Sequence, residues 1–110
     1  MQKVSLDAQA RELLGQARDA AGGRAAQTVM GGHEKMLRQT VIALIKDAAL
    51  SEHANPGEAS VHVLRGRVRL TADEQVWEAR DGDLIIVPDA PHSLLAIEDS
   101  AVLLTVAKHP

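Results

Sequence analysis

From residue 28 to residue 107 the chain alternates short runs rich in Val, Ile and Leu with clusters of turn-forming residues. The runs predict strands over 28–30, 38–45, 60–64, 67–71, 75–79, 84–87, 93–97 and 102–107. Between them stand Asn55-Pro56-Gly57, Gly66, Ala72-Asp73-Glu74, Asp81-Gly82, Pro88 to Pro91 and Glu98-Asp99-Ser100. Each turn carries residues that tolerate or preset tight backbone geometry. Runs this short are the length of strands rather than of helices, and strands at close, regular spacing close into a sandwich or barrel. The expected class is all-β.

One segment departs from this pattern. Over 5–21, Leu6, Ala10, Leu13, Ala17 and Ala20 or Ala21 recur at steps of three and four, so one helical face is apolar. Ser5 suits the N-cap, Asp7 the first turn, and Gly22-Gly23 the end. The mixed charges Arg11, Glu12, Arg18 and Asp19 mark a solvated outer face. The expected organisation is a helix and linker over 1–24 and one β-barrel domain over 25–110, with residues 20–35 the mobile stretch.

A chain of 110 residues fits one domain with a real core. There is no cysteine, which removes disulfides, thiolate zinc sites and cysteine nucleophiles. The net charge of -3 argues against nucleic-acid binding. The first residues lack the apolar core of a signal peptide, and no apolar run approaches membrane-spanning length. A cytoplasmic location and no membrane partner are expected. Phe and Tyr are absent and Trp77 is the only Trp. The core must be aliphatic, and few surfaces remain on which aromatic or sugar ligands could stack.

Two stretches carry a family resemblance. "HANPGEASVHVLRGRVRL" resembles the first motif of the cupins, and "GDLIIVPDAPHSL" resembles the second. The likeness spans about residues 38 to 107, with a short connection from Gly66 to Gly82. It implies a double-stranded β-helix, the cupin jelly-roll barrel, here with an N-terminal helix; such barrels are usually dimeric with a pocket inside.

The resemblance also implies a metal site, and this sequence departs from it. Counted back from Gly66, His53 takes the first histidine position, Asn55 the second and Ala59 the glutamate position. In the second motif "PDAPH" is one residue short and lacks its glycine, and His92 matches the histidine by order. His53 and His92 are therefore an incomplete ligand pair. Two imidazoles hold a divalent transition metal weakly, because a catalytic site ordinarily has three protein ligands. Glu58 or His33 is the candidate third ligand. Adjacent strand residues point to opposite faces, so Glu58 reaches the pocket only from an irregular turn.

The expected ligand-binding pocket comprises His53, Asn55, His92, Gln39 and Trp77, with packing the default for Trp77 and an edge position equally open for Gln39. His62 shares parity with Leu64 rather than Ala59, which suits a structural role. His109 belongs to a terminal segment. No catalytic residue is assigned, since the chain has no nucleophile elbow, phosphate loop or zinc-protease helix. Whether it is an enzyme stays open.

The leading reading is a small-molecule binding protein of unknown ligand, a sensor or accessory protein without a firmly held metal. The alternatives are a metal-dependent cupin enzyme, such as a small oxygenase or isomerase, and a structural dimeric module with a filled barrel. No cofactor is firmly expected. Apolar residues on both parities, as in "DLIIV" and "AVLLTV", predict a homodimer covering the outer face together with the helix.

Overall fold

The computed structural model describes residues 1–54 and 57–108, with the backbone alone at His53. It contains one helix, α1 (Leu6–Asp19), and the strands β1 (Arg24–Met30), β2 (Leu37–Leu44), β3 (Ala49–His53), β4 (Gly57–Arg65), β5 (Arg67–Ala72), β6 (Gln75–Arg80), β7 (Leu84–Ile86), β8 (His92–Ala96) and β9 (Ser100–Lys108). They form two antiparallel sheets, a five-stranded one ordered β1-β2-β9-β4-β7 and a four-stranded one ordered β3-β8-β5-β6. No helix among the described residues is long and apolar enough to cross a membrane.

The helix begins where Ser5 Oγ accepts from the Ala8 N–H at 3.2 Å, and it ends before Gly22. Its buried residues Ala10, Leu13, Leu14 and Ala17 pack on Val41 and Ala43 of β2, with Leu64 and Leu103 alongside. Asp7 pairs with Arg65 at 3.1 Å. Burying Leu13 and Leu14 alone stabilises the docked helix by roughly 1.5–3 kcal/mol each. The helix thus covers the outer face of the five-stranded sheet near β1 and β2, the share of that face expected of the helix.

Two strands differ from the sequence expectation. β1 starts at Arg24, within the stretch expected to be mobile, and pairs with β2 from Arg24↔Leu44 to Met30↔Gln39. β3 was not anticipated. Its sequence "ALSEH" has little apolar patterning because it is an edge strand, paired only with β8.

The core lies between the sheets. Ile42, Leu44, Val61, Val63, Val68, Leu70, Leu94 and Val102 fill it. The barrel has two unlike ends. At one, Ser100 is fully buried, and its Oγ accepts from the Arg67 N–H at 3.0 Å while its proton lies between the carbonyls of Arg67 (3.0 Å) and Glu98 (2.7 Å). That hydroxyl ties β9 of one sheet to β5 of the other. Beside it the Gly66 N–H donates to Asp81 Oδ1 at 2.8 Å, and the Lys46 N–H to Asp99 Oδ1 at 2.8 Å. The other end gathers the starts of β4 and β8 and the ends of β3 and β5. There the Val87 N–H donates to the Ala59 carbonyl at 3.0 Å.

Candidate functional site

The start of β4 alternates cleanly. Ala59, Val61 and Val63 are buried in the core, whereas Glu58 is exposed and Ser60 and His62 are half-buried on the outer face. The glutamate position of the metal motif therefore points inward and carries a methyl group. Glu58, offered as a third ligand, lies on the opposite face because Gly57 is already in the strand and no irregular turn intervenes between it and Ala59. His33 is exposed in the β1–β2 turn. His62 shares the outer face, as its parity requires.

His92 opens β8 and is buried, 4 % exposed. Its Nδ1 lies 3.1 Å from the Ala90 carbonyl. A carbonyl can only accept, so Nδ1 carries the proton in that bond and is not a metal donor. His53 stands opposite His92 in the β3–β8 ladder, which brings the two histidine positions of the motifs together in register. Asn55 and His109 lie outside the described residues.

Gln39 does not line the barrel interior. Along β2 it shares parity with Val41 and Ala43, which face the helix, rather than with Ile42 and Leu44, which face the core. Its Nε2 donates to Thr105 Oγ1 at 3.2 Å on the outer face. Trp77 lies instead at the open seam between β6 and β7, 42 % exposed.

Among the described residues a cavity of about 20 Å³ lies inside the barrel, bordered by His92 and by Ile42, Leu50, Val61, Leu70, Leu94, Val102 and Leu104. That is room for about one water molecule. Among the described residues no three His, Asp or Glu side chains are placed to hold a metal ion. The donor set that the motif would require does not fit, and no chemical step through a metal follows from this geometry.

A larger concavity lies outside the barrel. Where β7 ends at Ile86, a groove of about 420 Å³ opens along β4, bordered by Glu58, Ser60, Ile86, Val87, Asp89 and Thr105. Ser60 pairs with Thr105 on one side and Ile86 on the other, so one row of the ladder supplies three of these side chains. The sequence did hold a signal for them, namely polar residues at the parity opposite Ala59 and Val106.

On the outer face of the four-stranded sheet, Glu78 accepts from Arg67 and Arg69, each at 3.0 Å. The hydrogen bond from Arg69 is the chief reason its carboxyl titrates below the usual range, with both guanidinium charges adding to it.

The cupin-domain family model, Cupin_2, matches residues 41–107. The chain belongs to the cupin family. A conserved protein of unknown function from Streptococcus pyogenes is 29% identical, with 83% of this chain and 79% of that one covered, at a TM-score of 0.74. A cupin 2 conserved barrel domain protein from Leptotrichia buccalis is 24% identical over 81% of this chain and 43% of its own, at a TM-score of 0.72. A cupin superfamily protein from Desulfitobacterium hafniense is 15% identical over 78% of each chain, also at 0.72. The latter two likenesses concern the fold alone. No curated protein matches this cupin in sequence.

Proposed function

We propose that this cupin is a non-catalytic binding module whose barrel interior is packed closed and whose working surfaces lie outside it. The interior cavity of about 20 Å³ carries this reading. Ligand pockets for small molecules run to roughly 300–1,000 Å³, and nothing of that size fits among Ile42, Leu70, Leu94 and Val102. Ala59 in place of an inward carboxylate supports it from the chemical side. Of the readings drawn from the sequence, the filled barrel is the one this geometry favours.

The test uses untagged protein titrated with zinc, nickel, manganese and iron(II) by calorimetry. Micromolar or weaker binding is expected. Submicromolar binding abolished by His92→Ala would overturn the proposal and favour the metal-dependent enzyme.

A second reading keeps the small-molecule ligand but moves it to the outer groove of about 420 Å³. Its volume suits a small ligand, and Glu58, Ser60 and Thr105 supply convergent polar groups among apolar neighbours. Ser60→Leu narrows that groove without touching the core. A ligand whose binding survives this change does not sit there.

A further inference from the structure

Strand β7 ends its sheet and is paired with β4 alone. The Val87 N–H donates to the Ala59 carbonyl at 3.0 Å, and the Val63 N–H to the Asp83 carbonyl at 2.9 Å. Bonded pairs alternate along an antiparallel ladder, so Val61 and Ile85, midway between those two, also bond to each other. Leu84 and Ile86 therefore turn their N–H and C=O away from β4, into the seam that β6 borders on its far side. Residues 80–84 join β6 to β7 and close one end of this seam. The other end opens beside Asp73, Glu74 and Asp89.

The seam holds a cleft of about 550 Å³. Val76, Trp77, Ala79, Leu84, Ile85 and Ile86 supply its apolar lining. Ile86 also borders the outer groove, and Asp89 borders both that groove and a third hollow, of about 500 Å³, at the Asp73-Glu74 turn. The rim of these adjoining hollows is acidic. Glu58, Asp73, Glu74 and Asp89 are exposed there, none with an ion pair among the described residues. Among the described residues no Lys or Arg borders any of the three. Neighbouring cations are turned elsewhere: Lys108 Nζ donates to the Gly32 carbonyl at 3.4 Å, and Arg67 and Arg69 hold Glu78.

We propose that the seam takes an extended, basic segment of a partner protein. The segment lies along β7, with apolar side chains over Trp77 and Lys or Arg side chains on the acidic rim. Two features select this occupant. Covering the seam expels water from the backbone groups of Leu84 and Ile86, and an aliphatic ligand would leave them unpaired. An added strand offers them both donors and acceptors. The carboxylate rim draws cations and repels acidic segments, nucleic acid and anionic lipid surfaces. Successive side chains of a strand point to opposite faces, so one set lies over Trp77 and Ile85 while the other stays at the surface. The assignment rests on the reading that this cupin works through its outer surfaces, and names the partner. Metal titration tests that reading and peptide binding tests this one, so the two failures are distinguishable.

The probe is a short fluorescein-labelled peptide of alternating Lys and Val, titrated into the full chain and followed by anisotropy. Saturable binding is expected, weakened by salt and accompanied by a blue shift in the emission of Trp77, the only Trp of the chain. Glu74→Lys combined with Asp89→Lys should weaken it about tenfold. Glu12→Lys combined with Asp19→Lys changes the net charge equally, but on α1, which packs at the sheet edge away from β7. That variant should bind nearly as the parent does. A peptide with Glu in place of Lys should not bind. Ile86→Pro removes an outward N–H that β4 does not use, and should abolish binding with circular dichroism unchanged. N-methylation of the peptide's amides removes its donors and should abolish binding without altering the protein. No saturable binding at high micromolar concentration overturns the proposal. So does an equal effect of the rim and helix variants. Equal binding of the N-methylated peptide also overturns it, by giving the cleft to a cationic amphiphile instead of a strand.

Discussion

Trp77 stands directly opposite Leu70 in the β5–β6 ladder, yet Leu70 is 1% exposed and Trp77 42%. Both face the inner side of the sheet. The difference is that β5 is flanked by β6 and β8, whereas β6 has the open seam beside it. Leu70→Ala should cost about 2–5 kcal/mol and Trp77→Ala markedly less. Urea unfolding of the two variants compares them directly. Equal losses would mean that the seam is sealed in solution.

Two glycines should respond with opposite signs. Gly66 has φ 94°, and a Cβ there would lie 2.4 Å from the Asp99 carbonyl oxygen and 2.4 Å from Ser100 Oγ. Gly66→Ala therefore strains the backbone and dislodges the buried Ser100 hydroxyl, a loss of at least about 1–3 kcal/mol. Gly15 is helical with nothing within 4 Å of such an atom. Gly15→Ala should raise stability by up to about 1 kcal/mol. Melting temperatures read both.

Removing residues 1–23 uncovers Val41, Ala43, Leu64 and Leu103 on the outer face of the five-stranded sheet. The truncated chain should melt at a lower temperature, bind a hydrophobic dye and lose solubility. An unchanged melt would show that α1 is only loosely docked.

Ala59→Glu places a carboxylate on the inward parity of β4, in the core. In chelator the variant should be less stable than the parent, since an unpaired buried charge is costly. Added nickel or zinc should recover part of the loss if the position is aligned with His92. A melt indifferent to metal would place Ala59 outside any site that His92 could share.

The carboxyl of Glu78 titrates below its usual range because Arg69 and Arg67 favour the ionised form. Its folded pKa is lower than its unfolded one, so its contribution is present above the unfolded value and fades as pH falls through the folded value. Glu78→Gln should lower the melting temperature slightly at neutral pH and leave it level with the parent in acid. The effect is small, since the group is exposed and salt screens it.

Most of the strands and the helix were readable because their signals are local: alternating β4, the turns at Asp73-Glu74 and Asp81-Gly82, the cap at Ser5. The face on which Gln39 lies was not readable. In "VIAL", residues 41 to 44 are all buried, because the core takes one parity and α1 the other. Alternation disappears when both faces are covered, and with it the means of telling inside from outside. The same double coverage accounts for the apolar residues on both parities of β2, while Leu84 and Ile86 of β7 stay exposed beyond the reach of α1. The inward Ala59 was legible, since its neighbours Glu58 and Ser60 alternate against Val61 and Val63. The small size of the cavity was not, because it depends on how side chains from six strands meet.

The Ser100 hydroxyl couples the two sheets at one end of the barrel, while at the seam β6 and β7 run past each other without pairing. The two sheets are thus tied between inner strands and left loose along the β6–β7 margin. Spontaneous opening should begin at that margin, so amides of β7 would exchange with solvent long before those of β9 and β5. The barrel interior, closed at rest, would then be reached by rare excursions of that margin, and water would enter beside Trp77 rather than past His92.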